Sequence, residues 1–516
     1  MSRKGFLAAS LAALGLALLL AAPLLQAAET PKRGGILRVA SETEPPTLDP
    51  HLTTAAITLF SVDHWMESPF NQGSKYEIIP ELVDTYQASD DLKTWALTFR
   101  KGVLFHNGKE MTAEDVHASM KRWGAKHTQG QILFRNVESF EIADKYTVRL
   151  KLKIGSAVVP SFLIHTTHCF IYPKEVIAEA GDGSIKQNIG TGPFVFVEHK
   201  PDRYIKVKRF DKYSARPDPP NGYGGKKTAY LDEIHFIPVP EQAQRYNLLV
   251  GGEVDFSEQV LVDNYPALKA NPQIDTVISK SWWIIGVMNK KQGLLTNLKL
   301  RQAIQAAFDM EPILMNVVGN KDFYRLDPNL VYAETIWETN TGIEFFNQKN
   351  PAKAKQLMKE AGYKGEPIRW MASTEKAYKY GSAVIAAQQL RDVGFNIDLQ
   401  VMDWAVLVQL RNKPEGYDMF TTGLSMVSDP SAMIHATCGW PGWSCFPELD
   451  QLMDKLATQA KHEDRFETFK KIQHFYYANA VNIKFGDFFI LRAMSKKLKG
   501  YQNMEWPVFW NTRLAE

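Results

Sequence analysis

The residue types that could do chemistry occur in a few clusters. His165-Thr166-Thr167-His168-Cys169 gathers three potential metal ligands within five positions. On a strand His165 and Cys169 would face one way and His168 the other. The apolar flanks Phe162-Leu163-Ile164 and Phe170-Ile171 suggest a buried strand, not a metal site. His462-Glu463 opens like a zinc-protease helix, but Phe466 stands where the second His must be. Gly222-Tyr223-Gly224-Gly225-Lys226-Lys227 has the look of a phosphate loop. That loop needs a Gly five residues before its Gly-Lys pair, and Pro220 is there. No Gly-x-Ser-x-Gly elbow occurs, and Glu44 and Asp49 belong to no catalytic motif. No catalytic residue, metal or cofactor is therefore expected. What remains is aromatic: 28 Phe, 19 Tyr and 12 Trp, enough to fill a core and still line a binding surface.

The cysteines add one constraint. Cys438 and Cys445 bracket Gly439-Trp440-Pro441-Gly442-Trp443-Ser444. Two glycines and a proline let the chain turn back, so a disulfide is expected. Closing so small a loop stabilises by roughly 2–3 kcal/mol in the chain-entropy account. Cys169 is left over and reads as a buried thiol.

The elements that must position any site read as mixed α/β. Residues 35–40, 94–100, 146–152 and 204–210 have strand patterns, with Trp95, Leu97 and Phe99 two apart. Thr112 and Asp115 form a capping box that opens a helix. Asn350-Pro351 caps a helix that Gly362 ends, and Ser382–Val393 repeats the scheme before a strand at 395–401. Trp282-Trp283 opens a strand running to Met288, which sends the two rings to opposite faces. Residues 217–225 form one long irregular connection.

Composition bounds the class. At roughly 100–200 residues per domain, 516 residues suggest about three domains. Apolar (45%) and charged (23%) shares are those of an ordinary soluble protein. With 60 basic against 57 acidic residues, the balance argues against nucleic-acid binding. Arg3 and Lys4 precede an apolar run from Phe6 to Leu25 that closes at Gln26-Ala27-Ala28, the layout of a secretory signal peptide. The run is long enough for an uncleaved anchor, but Pro23 and the small residues favour cleavage near 28. An exported, multi-lobed, aromatic-rich chain without a catalytic signature reads as a binding protein whose lobes close on a ligand.

Thr94 to Arg122, TWALTFRKGVLFHNGKEMTAEDVHASMKR, closely resembles the signature of the family 5 extracellular solute-binding proteins. These are the dipeptide, oligopeptide and nickel-complex receptors of bacterial ABC importers. Four further segments in the right order are similar to the family: Gly34–Val39 with Pro46–Pro50, Gly190–Phe194, Arg301–Asp309, and Pro351–Tyr363.

The resemblance implies a two-lobed α/β periplasmic-binding-protein fold of type II, with an extra inserted domain and the ligand enclosed between the lobes. It places lobe one at 29–74, 190–288 and 486–516, the inserted domain at 75–189 and lobe two at 289–485. It implies a periplasmic, monomeric receptor. Such a receptor delivers a peptide or peptide-like solute to permease subunits in the inner membrane. The alternative is the same role for a metal complex, an oligosaccharide or another small molecule. By resemblance Asp429, just before Pro430, is the candidate anchor for a ligand amine; the alternative is that it only caps the helix beginning at Pro430. Trp283 lies on a strand similar to the family's pocket-lining strand. Trp440 and Trp443, on the disulfide loop, are expected to close over the ligand. Glu44, Thr374 and Tyr378 resemble the pocket rim. Phe105-His106-Asn107-Gly108-Lys109 reads as a structural turn despite its histidine.

Overall fold

A computed structural model describes residues 32–374, 377–425, 427 and 429–515. The expected leader and cleavage site lie outside the described residues. The chain begins with strand β1 (Ile36–Ser41), then builds a separate antiparallel sheet from β2 (Val83–Ala88), β3 (Thr94–Phe99), β4 (Val137–Asp144) and β5 (Thr147–Leu152), in the order β2-β3-β5-β4. Its alternation is the one in the sequence: Trp95, Leu97 and Phe99 are buried with Val148, Leu150 and Leu152. Helix α1 (Ala113–Lys126) covers this sheet with Val116, Met120 and Trp123, and both hydrogen bonds of the Thr112–Asp115 capping box are made.

The Phe105–Lys109 segment is a turn that fastens this unit to the next part of the chain. Phe105 is fully buried, and Gly108 takes φ +84. His106 Nδ1 accepts from Gly190 N (3.2 Å), so its Nε2 carries the proton and donates to Gly192 O (3.0 Å). The segment 165–169 differs from expectation. It is a 3₁₀ turn over His165–Thr167, ended by His168 at φ 60, and not a strand. The reason lies in distant partners: His165 is held between Asp63 (2.9 Å) and Gln72 (3.1 Å), and His168 bonds Pro50 O (3.1 Å). Among the described residues no three potential ligands gather around a metal position. Cys169 is free and buried.

The main sheet takes β6 (Phe194–Lys200), β7 (Tyr204–Arg209), β8 (Glu233–Pro238), β9 (Phe256–Val260), β10 (Ile274–Met288), β11 (Tyr324–Arg325), β12 (Ile368–Ser373), β13 (Ile397–Met402), β14 (Met419–Ser425) and β15 (Ile483–Ser495). Its order is β13-β12-β14-β10-β15-β9-β1-β8-β7-β6, with β11 beside β15. Helices α2 (Pro351–Ala361), α3 (Ala377–Val393), α4 (Trp404–Leu410) and α5 (His462–Ala478) flank the second half. The start of α2 follows its sequence: Asn350 Oδ1 accepts from Lys353 N (2.9 Å), and Gly362 at φ +74 stops the helix.

Two strands tie the halves together. β10 and β15 run antiparallel from the Ile274–Ser495 pair to the Gly286–Ile483 pair. The Ile274–Lys280 part of β10 lies beside the part of β15 that pairs with β9, whereas Trp282–Met288 pairs with β14. The register breaks between Lys280 and Trp282, at the crossing. One core on the β1 side joins Leu37, Val39, Phe194 and Phe236 with Phe170, Tyr172 and Val508–Trp510. Two cores sandwich the second half, one around Ile304, Trp370 and Leu390, the other around Trp283, Phe420 and Tyr476.

Candidate ligand-binding crevice

The strand registers locate a crevice. In lobe one β1, β8 and β9 are parallel, and β9 runs from Phe256 opposite Met494 to Val260 opposite Leu491. In lobe two β12, β13 and β14 are parallel, and β14 runs from Met419 opposite Met288 to Ser425 opposite Trp282. Trp282 itself lies opposite Phe488. Both sets of carboxyl ends therefore converge on the middle of the crossing strands. Open α/β sheets bind ligands outside such ends. Here the two sets face a common space, bounded by the carboxyl end of β1 on one side and by the carboxyl ends of β12, β13 and β14 on the other.

The floor of that space is a charged network. Arg325 bonds Asp487 (2.6 Å) and Glu334, and Lys280 reaches Glu334. Behind it Lys484 pairs with Asp487 (2.8 Å). Burial pushes the Asp487 carboxyl up; burial acts the same way on Glu334, but Arg325 and Lys280 hold it below its ordinary range. Each charge has a partner, so the network fixes the crossing instead of presenting a free charge.

Several expected site residues fall at this crevice. Thr374 directly follows β12 and is exposed. Tyr378, in the first turn of α3, lays its ring on Gly423 and 4.7 Å from the Phe488 ring. A Cβ on Gly423 would come within 2.8 Å of that ring, so a bare backbone is needed there. Glu44 follows β1, but its carboxylate is engaged by His199 and by Asp202 N (3.1 Å).

Others fall elsewhere. Trp283 is only 4% exposed; it is core, with His435 edge-on at 5.1 Å and the Lys484 ammonium 5.2 Å from its ring. Its neighbour Trp282 packs on the opposite face of the sheet. Cys438 and Cys445 form the expected disulfide. The loop it closes does not reach the crevice. Trp440 packs 5.9 Å from Phe420 and Trp443 stacks 6.1 Å from Tyr417. Both lie at the start of β14, whose far end is the crevice, about 16 Å away at ~3.3 Å per residue. Asp429 is 5% exposed and already paired: Oδ1 accepts from Arg465 (2.7 Å) and from Ser431 N (3.0 Å). It caps the short turn at Pro430–Ala432 and locks it to α5.

The order of elements, the insert and the interlobe crevice now meet an independent observation. A family model, "Bacterial extracellular solute-binding proteins, family 5 Middle", matches residues 77–444. The chain belongs to this family. It is 29% identical over 488 residues to the probable peptide ABC transporter periplasmic-binding protein y4tO of Sinorhizobium fredii, covering 90% of this chain and 91% of the relative. It is 26% identical over 510 residues to the oligopeptide-binding protein AppA of Bacillus subtilis, covering 92% and 90%. Among solved structures it is similar to the ABC transporter substrate-binding protein CtaP of Listeria monocytogenes, with TM-score 0.80, 22% identity and coverage of 94% and 100%. It is also similar to the PBP AgaA from A.tumefacien R10 in complex with agropinic acid, with TM-score 0.73, 22% identity and coverage of 93% and 99%.

For this family 5 solute-binding protein, sequence reasoning missed some crevice residues. Trp404 opens α4 just after β13 and carries the Lys379 ammonium 3.3 Å from its ring centroid. Its place after a strand that ends at the crevice was readable. Tyr332 and Glu505 also lie where the lobes meet, and no motif marks either. Arg492 holds the backbone of the Glu505 segment, donating to Met504 O (2.5 Å) and to Glu505 O.

Proposed function

We propose that this protein is the substrate-binding receptor of an ABC importer. It captures a peptide or peptide-like solute between its lobes and delivers it to permease subunits in the membrane. The observation that carries this reading is the convergence of both sets of strand carboxyl ends on the β10–β15 crossing. Only two strands and the segments beside them need to flex for the lobes to close. The names of the relatives, a peptide transporter component and an oligopeptide-binding protein, support the class of solute. In this reading lobe two is 289–485, the unit at 75–189 is the insert, and the protein acts without turnover in the periplasm after leader cleavage. No helix among the described residues is long and apolar enough to cross a membrane. Thr374, Tyr378 and Trp404 form the lobe-two rim.

Denaturing the purified protein and identifying the released solute by mass spectrometry tests the class directly. Peptides are expected. A released sugar or metal chelate, with no peptide binding by calorimetry, overturns the peptide reading. Scattering should show compaction on binding; unchanged radii with bound solute refute lobe closure.

A further inference from the structure

Segment Met504–Trp506 of lobe one is fixed from three sides. The Tyr223 hydroxyl accepts from Trp506 N (2.6 Å), the Tyr76 hydroxyl accepts from Glu505 N, and Arg492 donates to Met504 O and Glu505 O. Arg492 adds Tyr501 and Asn503 side-chain oxygens as acceptors (both 3.3 Å). Its hydrogen bonds thus go to neutral oxygens, none to the Glu505 carboxyl.

That leaves an unusual carboxyl. Glu505 is 7% exposed, and its Oε1 is buried with no hydrogen-bond partner. Across the seam stands Tyr332 of lobe two, 1% exposed, whose hydroxyl is also buried and unpartnered. The groups are within electrostatic reach of each other, and Tyr76 is within reach of Glu505, Tyr332 and Glu334. Two unsatisfied buried polar groups each cost about 1–3 kcal/mol. Buried within electrostatic reach of each other at a seam between lobes, they are better explained by an occupant that satisfies both.

The chemistry selects the occupant. An acceptor-rich carboxyl beside the aromatic rings of Tyr76, Tyr223 and Trp506 suits a compact cation with several donors. We infer that the Glu505–Tyr332 seam is the subsite for an ammonium group of the transported solute, and that this group, bridging the lobes, favours the closed form. The inference rests on the solute-receptor reading above but does not require a peptide. It also supplies the amine anchor that Asp429, tied to Arg465, cannot.

The charged and titratable groups facing Glu505 are Arg492 from β15, Tyr76 and Tyr223 from lobe one and Tyr332 from lobe two. Burial pushes the Glu505 carboxyl up to about 8 despite Arg492. At neutral pH it therefore holds its proton until a cation arrives. An arriving ammonium pairs with the carboxylate, and the carboxyl proton leaves to solvent.

The test uses the mature chain with three probes: trialanine, N-acetyl-trialanine and n-butylammonium. Trialanine is expected to bind at least about tenfold more tightly than its acetyl derivative, as loss of a buried charge contact requires. Glu505→Gln, isosteric with the protonated acid, should bring that ratio to within about twofold, and Tyr332→Phe should reduce it in part. Calorimetry in buffers of different ionisation enthalpy should show proton release at pH 7 for wild type and none for Glu505→Gln. n-Butylammonium should raise the melting temperature of wild type and leave that of Glu505→Gln unchanged. If trialanine does not bind but n-butylammonium protects wild type only, the peptide reading falls and the seam stands. If trialanine binds and Glu505→Gln keeps the full acetyl discrimination, the seam falls and the peptide reading stands. If no probe binds, both fall.

Discussion

Substituting Asp429→Asn separates two roles for one carboxylate. An anchor for a ligand amine would lose affinity on this change while the free protein kept its stability, since Asn caps nearly as well as Asp. The structure predicts the opposite. Asp429 and Arg465 are 5% and 8% exposed and 2.7 Å apart. Arg465 also donates to Leu456 O (2.9 Å) and lies 5.1 Å from the Trp337 ring centroid, so it cannot swing out to water without breaking the lobe-two core. Breaking a buried pair by removing one partner costs about 3–5 kcal/mol. Asn retains the bond from Ser431 N, so the lower end, about 3 kcal/mol, applies. For a cooperative unit the size of lobe two, about 2–4 °C is lost per kcal/mol, which amounts to a drop of roughly 6–12 °C. The assay is differential scanning calorimetry of the ligand-free protein beside titration calorimetry with its native solute at a temperature where the variant stays folded. Unchanged melting with strongly weakened binding would refute the reasoning and restore Asp429 to the site.

The pH dependence follows from buried histidines. His51 and His435 are pushed down to about 3, and His64, His106, His127 and His168 to about 4, chiefly by burial. Their stabilisation is present above about 6.5 and is lost as pH falls towards 4. Glu81 and Glu505, raised by burial to about 8, act in reverse and lose stabilisation as pH rises from about 4.5 to 8. Between pH 6.5 and 4.5 unfolding should thus take up as many as four net protons, each worth about 1.4 kcal/mol per pH unit. Five of the six histidines lie before residue 170, so urea unfolding should show the N-terminal half failing first on acidification; equal loss in both halves contradicts this. Reducing Cys438–Cys445 should lower lobe-two stability by about 2–3 kcal/mol, and ligand affinity should stay within error because the loop lies far from the crevice. A large affinity loss would place that loop over the ligand. Lys227→Met, which strands the buried Glu67 carboxylate and leaves Glu81 without its ammonium neighbour (both 3.3 Å from Nζ), should destabilise by about 3–5 kcal/mol, read as a lower urea midpoint.

Much of the fold was legible because local chemistry and tertiary structure agree. The Trp95-Leu97-Phe99 alternation, the Thr112–Asp115 box and the Asn350–Gly362 bracket each specify an element without help from distant residues. The 165–169 segment was misread for the complementary reason. Its apolar flanks satisfy a strand pattern, but its shape is set by Asp63, Gln72 and Pro50, about a hundred residues earlier in the chain. The crossing of β10 and β15 was likewise invisible. A residue such as Trp282 looks the same in sequence whether its strand ends in one lobe or passes into the next.

The site was less legible, and the tryptophans show why. Trp283, Trp440 and Trp443 were attractive as rings on a strand and a loop, yet each is placed by contacts that sequence does not encode locally: His435, Phe420 and Tyr417. Tyr378 and Trp404 instead owe their position to a rule of chain direction, since each follows a parallel strand whose carboxyl end meets the crossing. Asp429 is taken up by a pairing with a residue 36 positions away, which no local pattern announces. Glu505 presents the converse, a carboxyl whose distinction is the partner it lacks. Only the arrangement of the neighbours that hold its backbone, and of Tyr332 across the seam, turns an ordinary glutamate near the chain's end into a buried acceptor that two lobes can close around.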